Sequence, residues 1–310
     1  MTPDPISNAR PEQGAPAGHA LPILSVVGGI ATFSAMDVAM KGASIAVGVL
    51  TALFLRNAFG TLVSLPLWLA MDRARPSRAA MRVHALRSGI TVVMASLFFY
   101  GLVRLPIAEA IAISFISPII ALYFAALLLK ESIRPRAITG SLFGIGGVVI
   151  ITAARMGEMD LTGETLEGTL AVLASAVFYA INLVLQRQQA LLAKPAEVAL
   201  FQSLFASLFL SIPAALAFVS PAPLDLALIA LAACLATCAL VLLAWGYARA
   251  ETQVLVPVEY TGFLWAALLG WIFFDERVTG ATMAGAALIV AGCWIATREE
   301  RLPASPPTMV

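Results

Sequence analysis

Charge is what this sequence has least of. Only 12% of its 310 residues are Asp, Glu, Lys or Arg, against about 25% in a typical soluble domain. That scarcity excludes a conventional water-soluble surface, and the net charge of +1 offers nothing to attract a nucleic acid. There are only two histidines, His19 and His84, one in a Pro/Gly-rich tail and one in a basic stretch read as a loop. With no second ligand cluster, no metal site and no cofactor are expected. The three cysteines (Cys234, Cys238, Cys293) fall inside apolar runs; an odd number so placed excludes a disulfide framework, and they are expected to be small packing residues. No GxxxxGK[ST] loop occurs, so direct use of ATP is not expected. No clustered His, Asp or Ser motif points to an enzyme. The first twenty residues, MTPDPISNARPEQGAPAGHA, lack the basic segment and short apolar core of a signal peptide. They read as a mobile cytoplasmic tail, as do residues 298–310.

What the chain does have is apolar length. It is 60% hydrophobic with a mean hydropathy of +0.92, the signature of a membrane protein. A spanning helix takes about 20 mostly apolar residues. Ten such runs can be marked, at 21–40, 45–71, 86–103, 107–129, 137–154, 168–187, 197–218, 224–247, 253–274 and 280–297. Barrel strands are half as long and alternate in polarity, so an all-α bundle is expected. Alternate loops and the two tails hold fourteen Lys and Arg, including Arg73, Arg75, Arg78, Arg82 and Arg87 before the third run. The opposite loops hold four: Lys41, Arg104, Arg155 and Arg277. By the positive-inside rule both termini are cytoplasmic, in a multi-pass protein of an inner membrane.

The chain also echoes itself at an offset of 145 residues. Phe33 maps to Phe178, Asp37 to Asn182, Lys41 to Gln186, Tyr100-Gly101 to Trp245-Gly246, Arg104 to Arg249 and Glu131 to Glu276. Runs one to five thus repeat as six to ten, giving units at 21–154 and 168–297. Five is odd, so the second copy lies inverted in the bilayer. Inverted repeats mark secondary transporters, with the substrate near the midplane between the copies.

At this point the sequence resembles the drug/metabolite transporter superfamily and, within it, the EamA family. The resemblance rests on Ser117-Pro118 through Lys130-Glu131 to Gly140 and Gly147, on Asp275-Glu276-Arg277 through Gly285 to Gly292, on Phe33 to Lys41, and on Arg56. It departs where Phe33-Ser34 replaces the usual Trp-Gly and where Phe263 stands opposite Pro118, with a proline at Pro257 instead. The resemblance implies ten transmembrane helices as a 5+5 inverted-topology repeat. The segment EYTGFLWAALLGW and the overall layout are similar to the YddG-like amino-acid exporter branch.

Polar residues at membrane depth are the candidate site. Arg56 and Asn57 lie eleven residues into the second run, roughly 16 Å deep at 1.5 Å per residue. A guanidinium there binds a substrate carboxylate or locks a neighbouring helix. Glu259, beside Tyr260, lies roughly 12 Å into the ninth run, where the first copy has Ser114. It is open to a substrate ammonium, a proton or Arg56. Asp37 forms a local pair with Lys41 or lines a cavity opposite Asn182. Tyr100 and Trp245 stack on substrate or anchor at the interface. Arg104, Glu109, Arg249 and Glu251 read as solvated end charges, and the glycines at 140, 144, 147, 285 and 292 as close-packing surfaces. Together these residues describe a secondary transporter that exports small metabolites, amino acids first, by alternating access, with proton coupling or facilitated flux both open. A nucleotide sugar or cationic drug remains as alternative cargo, and a channel as alternative mechanism.

Overall fold

The computed structural model describes residues 20–71, 76–117, 120, 123–124, 135–158, 163–249, 255, 258 and 261–297. Among them ten α-helical segments follow one another: α1 (Ala20–Val47), α2 (Val49–Met71), α3 (Arg78–Leu102), α4 (Ile107–Ser114), α5 (Pro135–Glu158), α6 (Gly163–Leu192), α7 (Pro195–Leu216), α8 (Pro223–Tyr247), α9 (Thr261–Phe274) and α10 (Gly280–Thr297). Six of these (α1, α2, α3, α6, α7, α8) are long and apolar enough to cross a membrane.

The distribution of side chains is that of a protein solvated by lipid. Asp37, Lys41, His84, Arg87, Glu109 and Glu197 are buried, while Leu142, Ile212, Leu224 and Trp271 face outward, each more than half exposed. In water that arrangement would bury charge and expose oil; in a bilayer the outward side chains meet lipid and the charges are kept away from it. Hydroxyls follow the same logic. Thr32, Thr61, Ser64, Ser114 and Thr237 each donate to the carbonyl one turn back, which satisfies these hydroxyls in an apolar medium. Cys234 and Cys238 are exposed on α8 and pack against nothing inside, contrary to the expectation of packing residues.

The helices pair mainly as α5 with α10, α1 with α8, α3 with α6 and α2 with α7. Exchanging each helix for the one five places along turns α1–α8 into α3–α6 and leaves α5–α10 and α2–α7 unchanged. Glycine makes the tightest seams. A Cβ at Gly285 would stand 2.6 Å from the Gly147 carbonyl oxygen, and one at Gly292 would stand 2.5 Å from that of Gly140. The α5–α10 seam is therefore backbone against backbone. At Gly101 a Cβ would lie 2.7 Å from the Gly168 carbonyl, and at Gly246 one would lie 3.2 Å from that of Pro22. These are the equivalent crossings of α3 on α6 and α8 on α1. A single residue, Gly48 at φ +79°, separates α1 from α2; glycine holds this left-handed conformation at no steric cost.

Helix α3 begins earlier than expected. Its N-cap is Ser77, whose Oγ accepts from the Ala80 N–H at 3.0 Å, a cap of the preferred type. Arg78, Arg82, His84 and Arg87, read from sequence as loop residues, therefore belong to the helix.

Candidate functional site

A cavity of about 260 Å³ opens between the helices. Its walls are largely apolar, with Phe33 from α1, Phe98 and Phe99 from α3, and Tyr179 from α6. Its polar groups converge from several elements. Asp37 comes from α1, Arg56 and Asn57 from α2, Arg87 from α3, Ser114 from α4, Asn182 and Gln186 from α6, and Gln202 from α7. Five of the nine residues expected from sequence thus meet at one cavity: Arg56, Asn57, Asp37, Asn182 and Ser114.

Asp37 and Arg56 interact electrostatically across the cavity wall without direct ion-pair contact. Arg56 donates weakly to Asn57 Oδ1 at 3.4 Å and sits 3.6 Å from Met36 Sδ. Asn57 in turn donates to the Leu53 carbonyl at 2.7 Å. Ser114 donates to its own helix at Ala110. The local Asp37–Lys41 pair does not form. Lys41 instead donates to Glu276 Oε1 at 2.5 Å and to the Leu105 carbonyl at 2.8 Å. Glu276 Oε2 accepts the Ile107 N–H at 2.7 Å. This knot joins α1, the α3–α4 link and the α9–α10 link. The wider reach of the lysine stem lets it leave Asp37 to the cavity.

Tyr100 and Trp245 do not line the cavity. Arg104 lies 3.7 Å from the Tyr100 ring and Arg249 lies 4.1 Å from the Trp245 ring, so each aromatic face holds a guanidinium near a helix end. Both arginines also donate to the carbonyl of the aromatic residue they cover. Glu109, expected as a solvated end charge, is 3% exposed and accepts from Thr282 Oγ1. Glu259 and Tyr260 lie outside the described residues, as do Glu251, Pro118, Pro257 and Glu131.

Two long polar side chains at the cavity escaped sequence reading. Arg87 is 5% exposed and its guanidinium is collared by amide oxygens. Nε donates to Asn182 Oδ1 at 2.9 Å, one terminal nitrogen donates to Gln186 Oε1 at 2.9 Å, and the other donates to Gln189 Oε1. Gln189 continues to His84 Nδ1 at 2.6 Å, and His84 Nε2 meets Glu197 Oε1 at 3.1 Å. The arginines that precede it in sequence disguised Arg87, although counting from the Ser77 cap puts it ten residues into the helix. The second is Gln202, 4% exposed, with neither side-chain amide atom hydrogen-bonded among the described residues. The offset of 145 would have revealed it, since 202 − 145 = 57 maps it onto Asn57.

The EamA-like transporter family model matches the chain twice, over residues 20–153 and 166–298. The chain belongs to the EamA-like transporter family. A pseudopaline exporter of Pseudomonas aeruginosa is 28% identical over 275 residues, covering 87% of this chain and 93% of the relative. An aromatic amino acid exporter, YddG, of Ancylobacter novellus is 28% identical over 66% of this chain and 72% of its own length. One crystal structure shares the fold with a TM-score of 0.64 at 23% identity, covering 90% of this chain and 98% of the other. With the family and the apolar outward faces, the chain is a multi-pass membrane transporter.

Proposed function

We propose that this EamA-like protein exports a small zwitterionic metabolite, an amino acid first among candidates, across the inner membrane by alternating access between two inverted five-helix repeats. The observation that carries this reading is the cavity, where groups of both signs (Asp37, Arg56, Arg87) face one space walled by aromatic rings. A zwitterion needs both signs within one small volume; charges held apart from each other at membrane depth are costly unless a cargo or partner meets them. A cavity of about 260 Å³ lies just below the roughly 300–1,000 Å³ usual for ligand pockets, which favours an amino acid over a nucleotide sugar or a large drug. The helix pairing that survives exchange of α1–α5 for α6–α10 supports the repeat reading, as do the matched Tyr100–Arg104 and Trp245–Arg249 contacts. Exporters among its relatives favour outward transport, while uptake transporters among them run the other way. Export of the cargo leaves proton coupling and facilitated flux as the two energetic routes.

The test is flux in proteoliposomes with a panel of amino acids, with and without an imposed pH gradient. Saturable counterflow that Arg56→Ala and Glu259→Gln each sharply reduce is the expected result. Undiminished flux in both variants sinks the assignment of the cavity, and flux that fails to saturate makes the protein a channel. A flux that responds to the pH gradient establishes proton coupling.

A further inference from the structure

We infer that Arg87 and Gln202, on α3 and α7, form the carboxylate-holding half of the cavity and make the protein selective for cargo bearing a free carboxylate. The inference rests on the transporter reading of the cavity and specifies which chemistry it selects.

A buried guanidinium is normally neutralised by a carboxylate, because an unpaired charge in a low-dielectric interior costs several kcal/mol. Arg87 has no such partner among the described residues. Its three hydrogen bonds go to the neutral amides of Asn182, Gln186 and Gln189. These orient the fork and spread its charge without cancelling it. Arginine carries five N–H donors, so two remain beyond the collar. A planar fork with spare donors and uncancelled charge is matched bidentately by a carboxylate.

The contrast with the other half of the molecule sharpens the point. Arg56 already has Asp37 as its electrostatic companion. At the position equivalent to Asp37, 37 + 145 = 182, the second half carries Asn182, an amide of the same shape as aspartate, and it is this residue that Arg87 Nε contacts. The carboxylate is therefore supplied by the protein on one side of the cavity and left out on the other. Gln202 provides an independent sign. Its amide is buried at the cavity with both ends unmet among the described residues, and a buried unmet donor and acceptor call for a polar occupant. Its backbone carbonyl accepts from Ser88 Oγ at 3.3 Å, the residue beside Arg87, so the two groups border the same wall. The structural alternative is that Arg87 merely ties α3 to α6. The collar alone would serve that purpose, but it gives no reason for Gln202 to be left unmet beside it.

The test compares counterflow of each amino acid in the panel with that of its primary amide, which keeps the ammonium and removes the carboxylate charge. The natural protein is expected to favour the free acid by about tenfold or more, the effect of one charge-assisted hydrogen bond. Asn182→Asp places a carboxylate against Arg87 without removing any helix contact. It is expected to erase the preference and raise KM for the acid while the unfolding midpoint holds or rises. Gln202→Leu, which replaces an unmet amide by an apolar group, is expected to raise KM while stabilising the fold. Natural protein that carries acid and amide equally well overturns this inference and leaves the transporter reading standing. Acid preference that survives Asn182→Asp also overturns it, assigning Arg87 to helix packing. No saturable flux for any member of the panel overturns the amino-acid reading itself, and this inference with it.

Discussion

Single residues here are governed by the cost of polarity away from water. Lys41 and Glu276 illustrate it: their side chains are only 8% and 15% exposed, and each also meets a backbone group. Lys41→Met leaves the Glu276 carboxylate with the Ile107 N–H alone and is expected to cost about 2–4 kcal/mol, read as a lower unfolding midpoint in detergent. Joining it with Glu276→Gln removes the orphaned charge, so the double variant should be less destabilised than the sum of the singles. An additive result would show that the two side chains do not interact. Gln189→Leu removes the bridge between His84 and Arg87 and is expected to cost about 2 kcal/mol, checked by the same unfolding measurement. At this scale the sequence told much but unevenly. Asp37, Arg56, Asn57, Ser114 and Asn182 were legible because a polar residue deep in an apolar run stands out against its neighbours. Arg87 was not, because it follows a run of arginines that charge counting assigns to a loop. Lys41 was half legible: its charge was visible, but its choice of Glu276 over Asp37 depends on a contact between residues 235 positions apart.

At the scale of elements, some helices begin well before the apolar runs that mark them. The third run was marked from 86 and the sixth from 168, whereas α3 starts at Arg78 and α6 at Gly163. Hydropathy locates the stretch that sits in hydrocarbon; helix continues past it wherever capping and hydrogen bonding allow. The glycines were read more successfully, since spacing shared by two equivalent runs points to a seam between them. Gly285→Val is expected to push α10 off α5 and to lower the unfolding midpoint severely, because its new side chain meets the Gly147 backbone and Ile151. Gly146→Ala, where nothing lies within 4 Å, should leave the midpoint unchanged or slightly raised, as expected of a helical glycine with open space beside it. If both variants behave alike, the seam is not set by backbone contact. Helix α9 is described only from Thr261, so the stretch around Glu259 that drew attention in the sequence contributes no geometry to the site.

For the whole molecule, the membrane class was legible from composition, and the family from the resemblance carried by motifs such as Ser117-Pro118, Asp275-Glu276-Arg277 and Arg56. The cavity was not, because eight helices contribute to it and no single run reveals what the others bring. The same charge asymmetry that orients the chain makes a direct prediction. A fluorescent protein that folds only in the cytoplasm, fused after residue 310, should be bright, while a reporter active only outside the cytoplasm should be silent at that position. The opposite pattern would reverse the assignment of sides.

The one-residue joint at Gly48 bears on how the protein is made. Two long apolar helices separated by a single residue leave no hydrophilic segment for the insertion machinery to hold or translocate between them. The pair is expected to enter the bilayer as a helical hairpin, so that Arg56 on α2 accompanies Asp37 on α1 and lowers the cost of inserting a helix that bears Asp37 and Lys41.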